Sequence, residues 1–318
     1  MSKVQTNYPF GEHDLRLSPV ISVEPHGNEK PLRIILLVIG VLLWIPITVS
    51  IVGALYAILL GVFFFIAHLS LITHLRGSAV KLGPQQMPEL HQRIVTLAKR
   101  LDFKKAPDAY LMQSGGGLNA FATKFFGTDF VVLYSDMVEA CGDNTDALDF
   151  IIAHELGHIH RGHLKRRWLI IPAYFIPFLG SAYSRACEFT CDRYGYLTSS
   201  NQENSLLGLC ILAAGPKHAV LLNRKEFAAQ RCDLDTVFMR LGEWLASHPP
   251  LSIRLAALNP ALKPEKRGNK AFVTLAAFLL ATGLVAVPVV GGAAWINILT
   301  HDLRDKMQHP QVSSQFNR

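Results

Sequence analysis

The residues best suited to chemistry lie in one short run, Ala153-His154-Glu155-Leu156-Gly157-His158. On an α-helix, positions i and i+4 lie about 40° apart around the axis, so His154 and His158 present their imidazoles side by side. Two neutral imidazoles at this spacing bind Zn²⁺, and Glu155 could take a proton from a water that the metal has acidified. The run therefore predicts a hydrolytic zinc site. The alternative is a pair of hydrogen-bonded histidines in an ordinary core helix.

A catalytic zinc takes three protein ligands and keeps one position open for water, so a third ligand is needed. Glu188 is the best candidate, because it is a carboxylate in a later helix-compatible segment. Asp192 lies one turn further along the same face, where it could accept a hydrogen bond from a ligand histidine and fix the orientation of the ring. We expect one Zn²⁺ per chain. The alternative for Glu188 and Asp192 is a solvated helix face.

Other histidines and cysteines nearby compete for the metal. If the helix continues, His160 and His163 point about 240° and 180° away from His154, off the metal face, and neither is expected to be a ligand. Cys187 and Cys191 are expected to be small buried hydrophobes. A site of two cysteines and two histidines would be closed and structural, so we do not assign them to the metal.

Helical and β-prone segments surround these residues. The zinc motif falls in a helix-compatible window, Asp146–Leu164, with Thr145 or Asp146 as its expected N-cap. Pro88 is expected to open an earlier helix. Between the two helices lie three short stretches rich in β-prone residues: Ala109–Met112, Leu118–Thr123 and Phe130–Tyr134.

The composition indicates a membrane protein. Half of the 318 residues are hydrophobic and only 17% are charged, whereas a soluble domain carries about 25% charged residues. The apolar residues concentrate at 34–75, which is long enough for two membrane spans, and at 271–299, which is long enough for one. We expect a hairpin in the first block, reversing near Gly53, rather than one very long tilted helix.

The net charge of +7 is explained by basic residues beside the apolar blocks: Lys30, Arg33, Arg76, Lys81, Lys263, Lys266, Arg267 and Lys270. Such cations are typical of loops on the cytoplasmic side of a membrane, and the sequence contains none of the common nucleic-acid recognition motifs. The five cysteines are odd in number and irregularly spaced, which favours a reducing compartment. We therefore predict a bacterial inner membrane with a cytoplasmic catalytic domain, and no nucleic-acid partner.

Four segments in this order resemble the M48 family of membrane metallopeptidases, which includes HtpX-like heat-shock proteases and Ste24-type CAAX proteases. They are Leu118–Thr123, His154–His158, Glu188–Asp192, and Ser247–Leu251 with Arg254 and Leu258. Two departures limit the resemblance. HtpX-like proteins carry further membrane helices after the zinc motif, whereas Trp168–Leu179 is too short to span. The chain also offers fewer membrane helices than the CAAX-type architecture, so prenyl-peptide processing is not expected.

The resemblance implies an α+β, mainly helical, gluzincin-type domain with a small antiparallel sheet. Its zinc would be held by His154, His158 and Glu188, with Glu155 as the general base. The resemblance also implies that Asn119, Ala120, Phe121 and Ala122 line a substrate groove, where an extended peptide could pair with an edge strand.

The resemblance also places His248 near the zinc. There it would polarise the scissile carbonyl or the oxyanion, or occupy the open coordination position in a resting form. Without the resemblance, His248 would be interpreted as a residue at the start of a helix, before Pro249-Pro250.

Together these observations predict five segments: a disordered tail (1–31), a transmembrane hairpin (32–75), a zinc metallopeptidase domain (76–270), a transmembrane helix (271–300) and a C-terminal tail (301–318). The predicted function is a membrane-anchored zinc endopeptidase, whose partners are the lipid bilayer and polypeptides from membrane or misfolded proteins. One alternative is a zinc-binding membrane chaperone or scaffold with little hydrolytic activity. Another is a basic, membrane-tethered nucleic-acid binder. The sequence does not specify the oligomeric state.

Overall fold

The computed structural model describes residues 20–113, 115–165, 167–263 and 273–279. The chain divides into two compact units. One takes in the chain up to Asp233 together with Glu243–Lys266, and the other takes in Leu234–Gly242 together with Arg267–Arg318. In the second unit, residues 273–279 are helical. Most of the predicted membrane helix at 271–300, all of the tail at 301–318, and residues 1–19 of the N-terminal tail lie outside the described residues.

Two apolar helices stand at the N-terminal end, α1 (Glu29–Val49) and α2 (Ile51–Ser78). Both are long and apolar enough to cross a membrane, and most of their large apolar side chains are exposed. The prediction of two helices in place of one is confirmed. The break lies at Ser50, three residues before the expected Gly53, because the Ser50 side chain caps α2 by accepting a hydrogen bond from the Gly53 N–H (3.2 Å).

Residues 20–28, which the sequence assigned to the tail, pack against the body of the protein. The backbone N–H of Ile21 donates to the carbonyl of Arg100 (2.9 Å), and Val23 is buried. The His26 N–H donates to the Thr190 hydroxyl (2.9 Å). This segment leads directly into α1, so the start of that helix is attached to the body of the protein.

The sheet has four strands in the order β1-β2-β4-β3: β1 (Val80–Lys81), β2 (Asp108–Met112), β3 (Ala120–Phe125) and β4 (Thr128–Tyr134). The expected antiparallel sheet is wrong in part, since β2 and β4 are parallel and the other two pairs are antiparallel. A tight hairpin, whose Gly127 has a positive φ, pairs β3 with β4. Strand β4 also pairs with β2 on its other side, so β3 is an edge strand.

The core of the body is formed where α5 (Thr145–His160) packs against α7 (Leu179–Thr198). A Cβ at Gly195 would lie 2.7 Å from the carbonyl oxygen of Phe150, so the two helices approach more closely than a side chain allows. The N-cap of α5 is Asn144, one residue before the expected positions, and its side chain accepts a hydrogen bond from the Ala147 N–H (2.9 Å).

Helix α6 (Arg167–Tyr174) lies along α1. Gly40 of α1 faces the backbone of Leu169 with no room for a Cβ, and the Trp44 indole donates to the Trp168 carbonyl (3.1 Å). The other helices are α3 (Pro88–Arg100), α4 (Ser135–Cys141), α8 (Gln202–Ser205), α9 (Leu207–Ala219), α10 (Arg224–Ala229), α11 (Val237–Leu245) and α12 (Leu251–Leu258), with 3-10 turns at Gln230–Leu234 and Pro260–Leu262. The described structure is therefore mostly helical, as predicted.

Candidate active site

Two imidazoles and one carboxylate converge where α5 meets α7. The Nε2 atom of His154 lies 3.5 Å from Oε2 of Glu188, and the Nε2 atom of His158 lies 3.4 Å from Oε1 of the same side chain. His154 and Glu188 are buried, and His158 is partly exposed. The structure thus brings together the three side chains that the sequence selected from two separate segments.

These separations can be compared with the requirements of a zinc site. Zinc–nitrogen and zinc–oxygen bonds are about 2.0–2.2 Å long, so neighbouring ligand atoms of a tetrahedral ion are roughly 3.3–3.5 Å apart. The two histidine–carboxylate distances of 3.4 and 3.5 Å are of this size and run to the two different oxygens of Glu188, Oε1 facing His158 and Oε2 facing His154. The donor set of two imidazoles and a carboxylate is also one that zinc prefers in hydrolytic enzymes. His154, His158 and Glu188 therefore fit the ion.

Cys191 is a second candidate for the third ligand. One ligand atom each of His154, His158 and Cys191 lie within 4.8 Å of one another. Burial and the nearby charge of Glu188 raise the pKa of the Cys191 thiol well above its usual range, so without a metal this side chain is a neutral thiol. We favour Glu188, because its oxygens lie 3.5 and 3.4 Å from the Nε2 atoms of His154 and His158.

Asp192 and Arg254 orient His154 from the side of the ring opposite Glu188. Oδ1 of Asp192 lies 3.1 Å from Nδ1 of His154, so the other ring nitrogen faces Glu188. Arg254 of α12 donates from Nε and Nη2 to the Asp192 carboxylate (2.8 and 2.6 Å). Burial alone would raise the pKa of Asp192, but the charge and hydrogen bonds of Arg254 outweigh it and lower the pKa. Arg254 was not among the predicted site residues, although it belongs to the fourth resembling segment.

The expectation that His163 points away from the metal face is wrong, whereas its exclusion from the metal ligands stays a prediction. The expected direction assumed that α5 continues to Leu164, but the helix ends at His160 and Gly162 adopts a positive φ of 68°. The chain then turns back, so that the His163 N–H donates to the His158 carbonyl (3.0 Å) and the Nδ1 atoms of the two rings lie 3.1 Å apart. His160 does point away from the metal face, towards the hydroxyl of Tyr194 (2.8 Å).

A cavity of about 390 Å³ lies over the three candidate ligands. Its wall includes Glu155, one residue after His154 and 8% exposed, together with Asn119–Ala122 at the start of the edge strand β3. Residues of α6 also line it, among them Ile170 and Tyr174. The segment with the zinc motif and the segment expected to bind substrate therefore share one cavity.

The edge strand directs backbone groups away from the sheet at two positions. The Asn119 carbonyl accepts a hydrogen bond from the Tyr134 N–H of β4 (3.2 Å). Because bonded and non-bonded pairs alternate in an antiparallel ladder, the N–H and C=O groups of Ala120 and Ala122 point to the open side. Two contacts agree with this: the Ala120 N–H donates to the Asn119 side chain (2.9 Å), and the Lys124 carbonyl lies 3.1 Å from a histidine of α2.

His248 stands at the rim of the same cavity. Its Nε2 lies 3.6 Å from Oε1 of Glu188, and its side chain is 67% exposed. The other ring nitrogen lies 3.0 Å from the Ser247 hydroxyl. His248 is thus close to the candidate metal ligands, on the segment that leads through Pro249-Pro250 into α12.

The side chains at this cavity could hold a metal ion, and a comparison with known families gives the class of protein. The family model described as Peptidase family M48 matches residues 84–176 and 167–261, more than half of the chain. The chain belongs to peptidase family M48, which implies zinc metallopeptidase activity. No curated protein matches the chain significantly. A search of solved structures likewise found no significant match.

Proposed function

We propose that this protein is a membrane-anchored zinc endopeptidase in which His154, His158 and Glu188 hold one Zn²⁺ per chain. The observation that carries the proposal is the convergence of two imidazole nitrogens on one buried carboxylate at 3.4 and 3.5 Å. Buried polar groups of this kind are costly unless they are paired or bind a metal, and this trio opens into a cavity large enough for a substrate group.

When bound, zinc supplies the Lewis acidity that polarises the scissile carbonyl and acidifies a water. Glu155 would take the proton from the attacking water and pass it to the leaving amine. Two features support this role for Glu155: it lies on the wall of the cavity, and it is adjacent in sequence to the ligand His154.

The substrate is proposed to bind as an added strand beside β3. The outward N–H and C=O groups of Ala120 and Ala122 would pair with an extended peptide, while the small alanine side chains leave room for the peptide's own. Asn119 and Phe121 line the same wall. Further along the strand, α2 covers the edge at Lys124, which would limit the added strand to the part beside the cavity.

For His248 we favour the resting-form interpretation. Its Nε2 lies 3.6 Å from Glu188, close to the separations of the two proposed histidine ligands, and its exposed side chain can move aside. In the resting form, the His248 ring would occupy the open coordination position of the zinc and so compete with water for it. Stabilisation of the oxyanion is the alternative role, and the two roles predict opposite effects of removing the ring.

The substrates are proposed to be membrane proteins or their misfolded segments. Helix α6 forms part of the cavity wall through Ile170 and Tyr174, while Trp168 and Ile171 are exposed beside the apolar surface of α1. The cavity therefore lies next to the apolar helices. The bases of the hairpin carry Lys30, Arg33, Arg76 and Lys81. By the positive-inside tendency, these residues would place the catalytic body in the cytoplasm of a bacterium, at the inner membrane.

The test compares purified wild-type protein with the Glu155→Gln variant, measuring bound zinc and digestion of an unfolded polypeptide such as casein. We expect about one zinc in both proteins and cleavage by the wild type alone, abolished by a chelator. A wild type that binds zinc and cleaves nothing would favour the chaperone or scaffold. Salt-sensitive association with DNA or RNA that is unaffected by chelator would favour the nucleic-acid binder.

Substrate class is tested separately, in cells. Membrane fractions from cells with wild-type protein and with Glu155→Gln are compared by quantitative proteomics. Accumulation of specific membrane proteins with the inactive variant is expected. If only soluble proteins accumulate, the membrane-substrate proposal is contradicted while the peptidase assignment stands.

A further inference from the structure

The start of the first apolar helix is tied to the end of the helix that carries the zinc motif. Glu29, the first residue of α1, is a carboxylate with 1% exposure. Its Oε1 accepts hydrogen bonds from Nε and Nη2 of Arg161 (3.1 and 2.9 Å), and its Oε2 accepts one from the Thr190 hydroxyl. A buried carboxylate held this firmly has a fixed position and direction.

His163 lies between this carboxylate and His158. Its Nδ1 is 3.1 Å from Nδ1 of His158, and its Nε2 is 3.3 Å from Oε1 of Glu29. Among the described residues, His163 Nε2 makes no full hydrogen bond, so the Glu29 oxygen is the acceptor that it faces. The three side chains form a continuous line from the apolar helix to a proposed metal ligand.

Zinc binding would decide which ring nitrogen carries the proton in His158 and in His163. If Nε2 of His158 binds zinc, its lone pair must face the ion and the proton must lie on Nδ1. Nδ1 of His163 lies 3.1 Å from this nitrogen, so it would accept that proton's hydrogen bond. His163 then carries its own proton on Nε2, the nitrogen that lies 3.3 Å from the negative oxygen of Glu29.

We propose that Glu29 and His163 form a positioning relay that fixes the tautomer and orientation of His158. The proposal rests on the proposed function, because it takes His158 as a zinc ligand. The two ligand histidines would then be supported by different parts of the molecule. Asp192 and Arg254, from α7 and α12, hold His154, whereas the first residue of α1 holds His158. Attachment of the apolar helix thus becomes a condition for tight metal binding.

A purely structural ion pair between Glu29 and Arg161 is the competing explanation. It would explain the burial of Glu29 and would predict effects on folding alone. It would not require a hydrogen-bonding side chain at position 163. Cys191 also approaches His163, with its sulfur 3.8 Å from Nδ1, but a thiol at this distance is a weak partner compared with the imidazole at 3.1 Å.

The experiment measures zinc affinity of the full-length protein in detergent by competition with a chromogenic chelator. His163→Leu places an apolar side chain of moderate size at this position and removes both the contact with His158 and the contact with Glu29, so we expect affinity to fall about 10- to 100-fold. In His163→Gln the amide oxygen can accept from His158 and the amide N–H can donate to Glu29, so we expect affinity within a few-fold of wild type. Glu29→Gln should cause an intermediate loss, and Lys30→Gln, the exposed neighbour, should cause none.

Cobalt substitution gives a second readout that a merely structural role would not change. We expect the visible d–d spectrum to be altered in His163→Leu and restored in His163→Gln. A folded His163→Leu that binds zinc as tightly as wild type overturns the relay while leaving the proposed function intact. If His163→Leu does not fold, unchanged affinity in Glu29→Gln overturns it instead. A wild type that binds no zinc overturns the proposed function, and the relay with it.

Discussion

Arg254 clamps the carboxylate of Asp192 with two nitrogens, Nε at 2.8 Å from Oδ2 and Nη2 at 2.6 Å from Oδ1. The third nitrogen, Nη1, lies 3.4 Å from Oε2 of Glu188, so one guanidinium contacts both Asp192 and Glu188. Such forked pairs fix geometry as well as charge. The clamp therefore sets the position of the acid that orients His154 and of the acid proposed to bind the metal.

Removing the clamp should weaken both metal binding and folding. We predict that Asp192→Asn lowers zinc affinity about 10- to 100-fold, because it removes the acceptor that orients His154. Arg254→Met leaves two buried carboxylates without their counter-charge and should cost about 3–5 kcal/mol of stability. Chelator competition and thermal unfolding measure the two effects. Lys225→Met, at an exposed position, is the matched control, and equal losses in it would contradict the prediction.

Two properties of the protein should change in opposite directions with pH: the stability of the metal-free protein and its affinity for zinc. Burial lowers the pKa of His154, but the hydrogen bonds to Asp192 and Glu188 outweigh it and raise the pKa to about 10. A raised folded pKa stabilises the protonated form, so this contribution is fully present below the unfolded value of about 6.5 and is lost as pH rises towards about 10. We predict that chelator-treated protein loses stability over this window.

Zinc affinity should rise over the same pH range, because metal binding must displace the His154 proton. Thermal unfolding of chelator-treated protein and competition titrations at several pH values measure the two trends. In His154→Gln the pH dependence of stability should be reduced. The assignment of His154 as a protonated partner of two carboxylates would be contradicted if the stability of chelator-treated protein and the affinity for zinc changed in the same direction with pH.

The close approach of α5 and α7 should be intolerant of a single methyl group. A Cβ at Gly195 would lie 2.7 Å from the Phe150 carbonyl oxygen, so Gly195→Ala must push the helices apart. We predict a destabilisation of about 1–3 kcal/mol and weaker zinc binding, because the ligands lie on both helices. Gly77→Ala is the control, since a Cβ there meets nothing within 4 Å. Wild-type stability in Gly195→Ala would show that the helices can separate freely.

His248 distinguishes two models of the resting site. If its ring competes with water for the metal, His248→Ala should raise kcat/KM for peptide hydrolysis by a few-fold. The double variant, His248→Ala with Glu155→Gln, should remain inactive. If the ring stabilises the oxyanion instead, the same change should lower kcat about 10- to 100-fold or more. Steady-state kinetics on a fluorogenic peptide decide between them, and a fall of that size would contradict the model we favour.

Much of the site could be predicted because its spacing is local. The i and i+4 rule places His154 beside His158 and Glu188 beside Asp192 without any tertiary information. The family resemblance added the segment Asn119–Ala122, which the structure places on the same cavity. Each of these spacings lies within a single helix or strand, so it can be recognised without knowing how the elements pack.

The parts that were missed depend on contacts between distant segments. Glu29 contacts Arg161 across 132 positions, and Arg254 contacts Asp192 across 62, so neither partner shows in a local pattern. His163 was misplaced because the periodic rule was extended past Gly162, where the positive φ ends the helix. The sheet was expected to be antiparallel because strand order, which makes β2 and β4 parallel, cannot be read from strand-forming residues alone.

The most direct test of the central claim is X-ray absorption at the zinc edge of the purified, zinc-loaded protein. The account predicts two imidazoles and further nitrogen or oxygen ligands at about 2.0–2.2 Å, with one histidine and the carboxylate lost in His158→Ala and Glu188→Ala respectively. A sulfur ligand at about 2.3 Å that disappears in Cys191→Ala, with no change in Glu188→Ala, would contradict it.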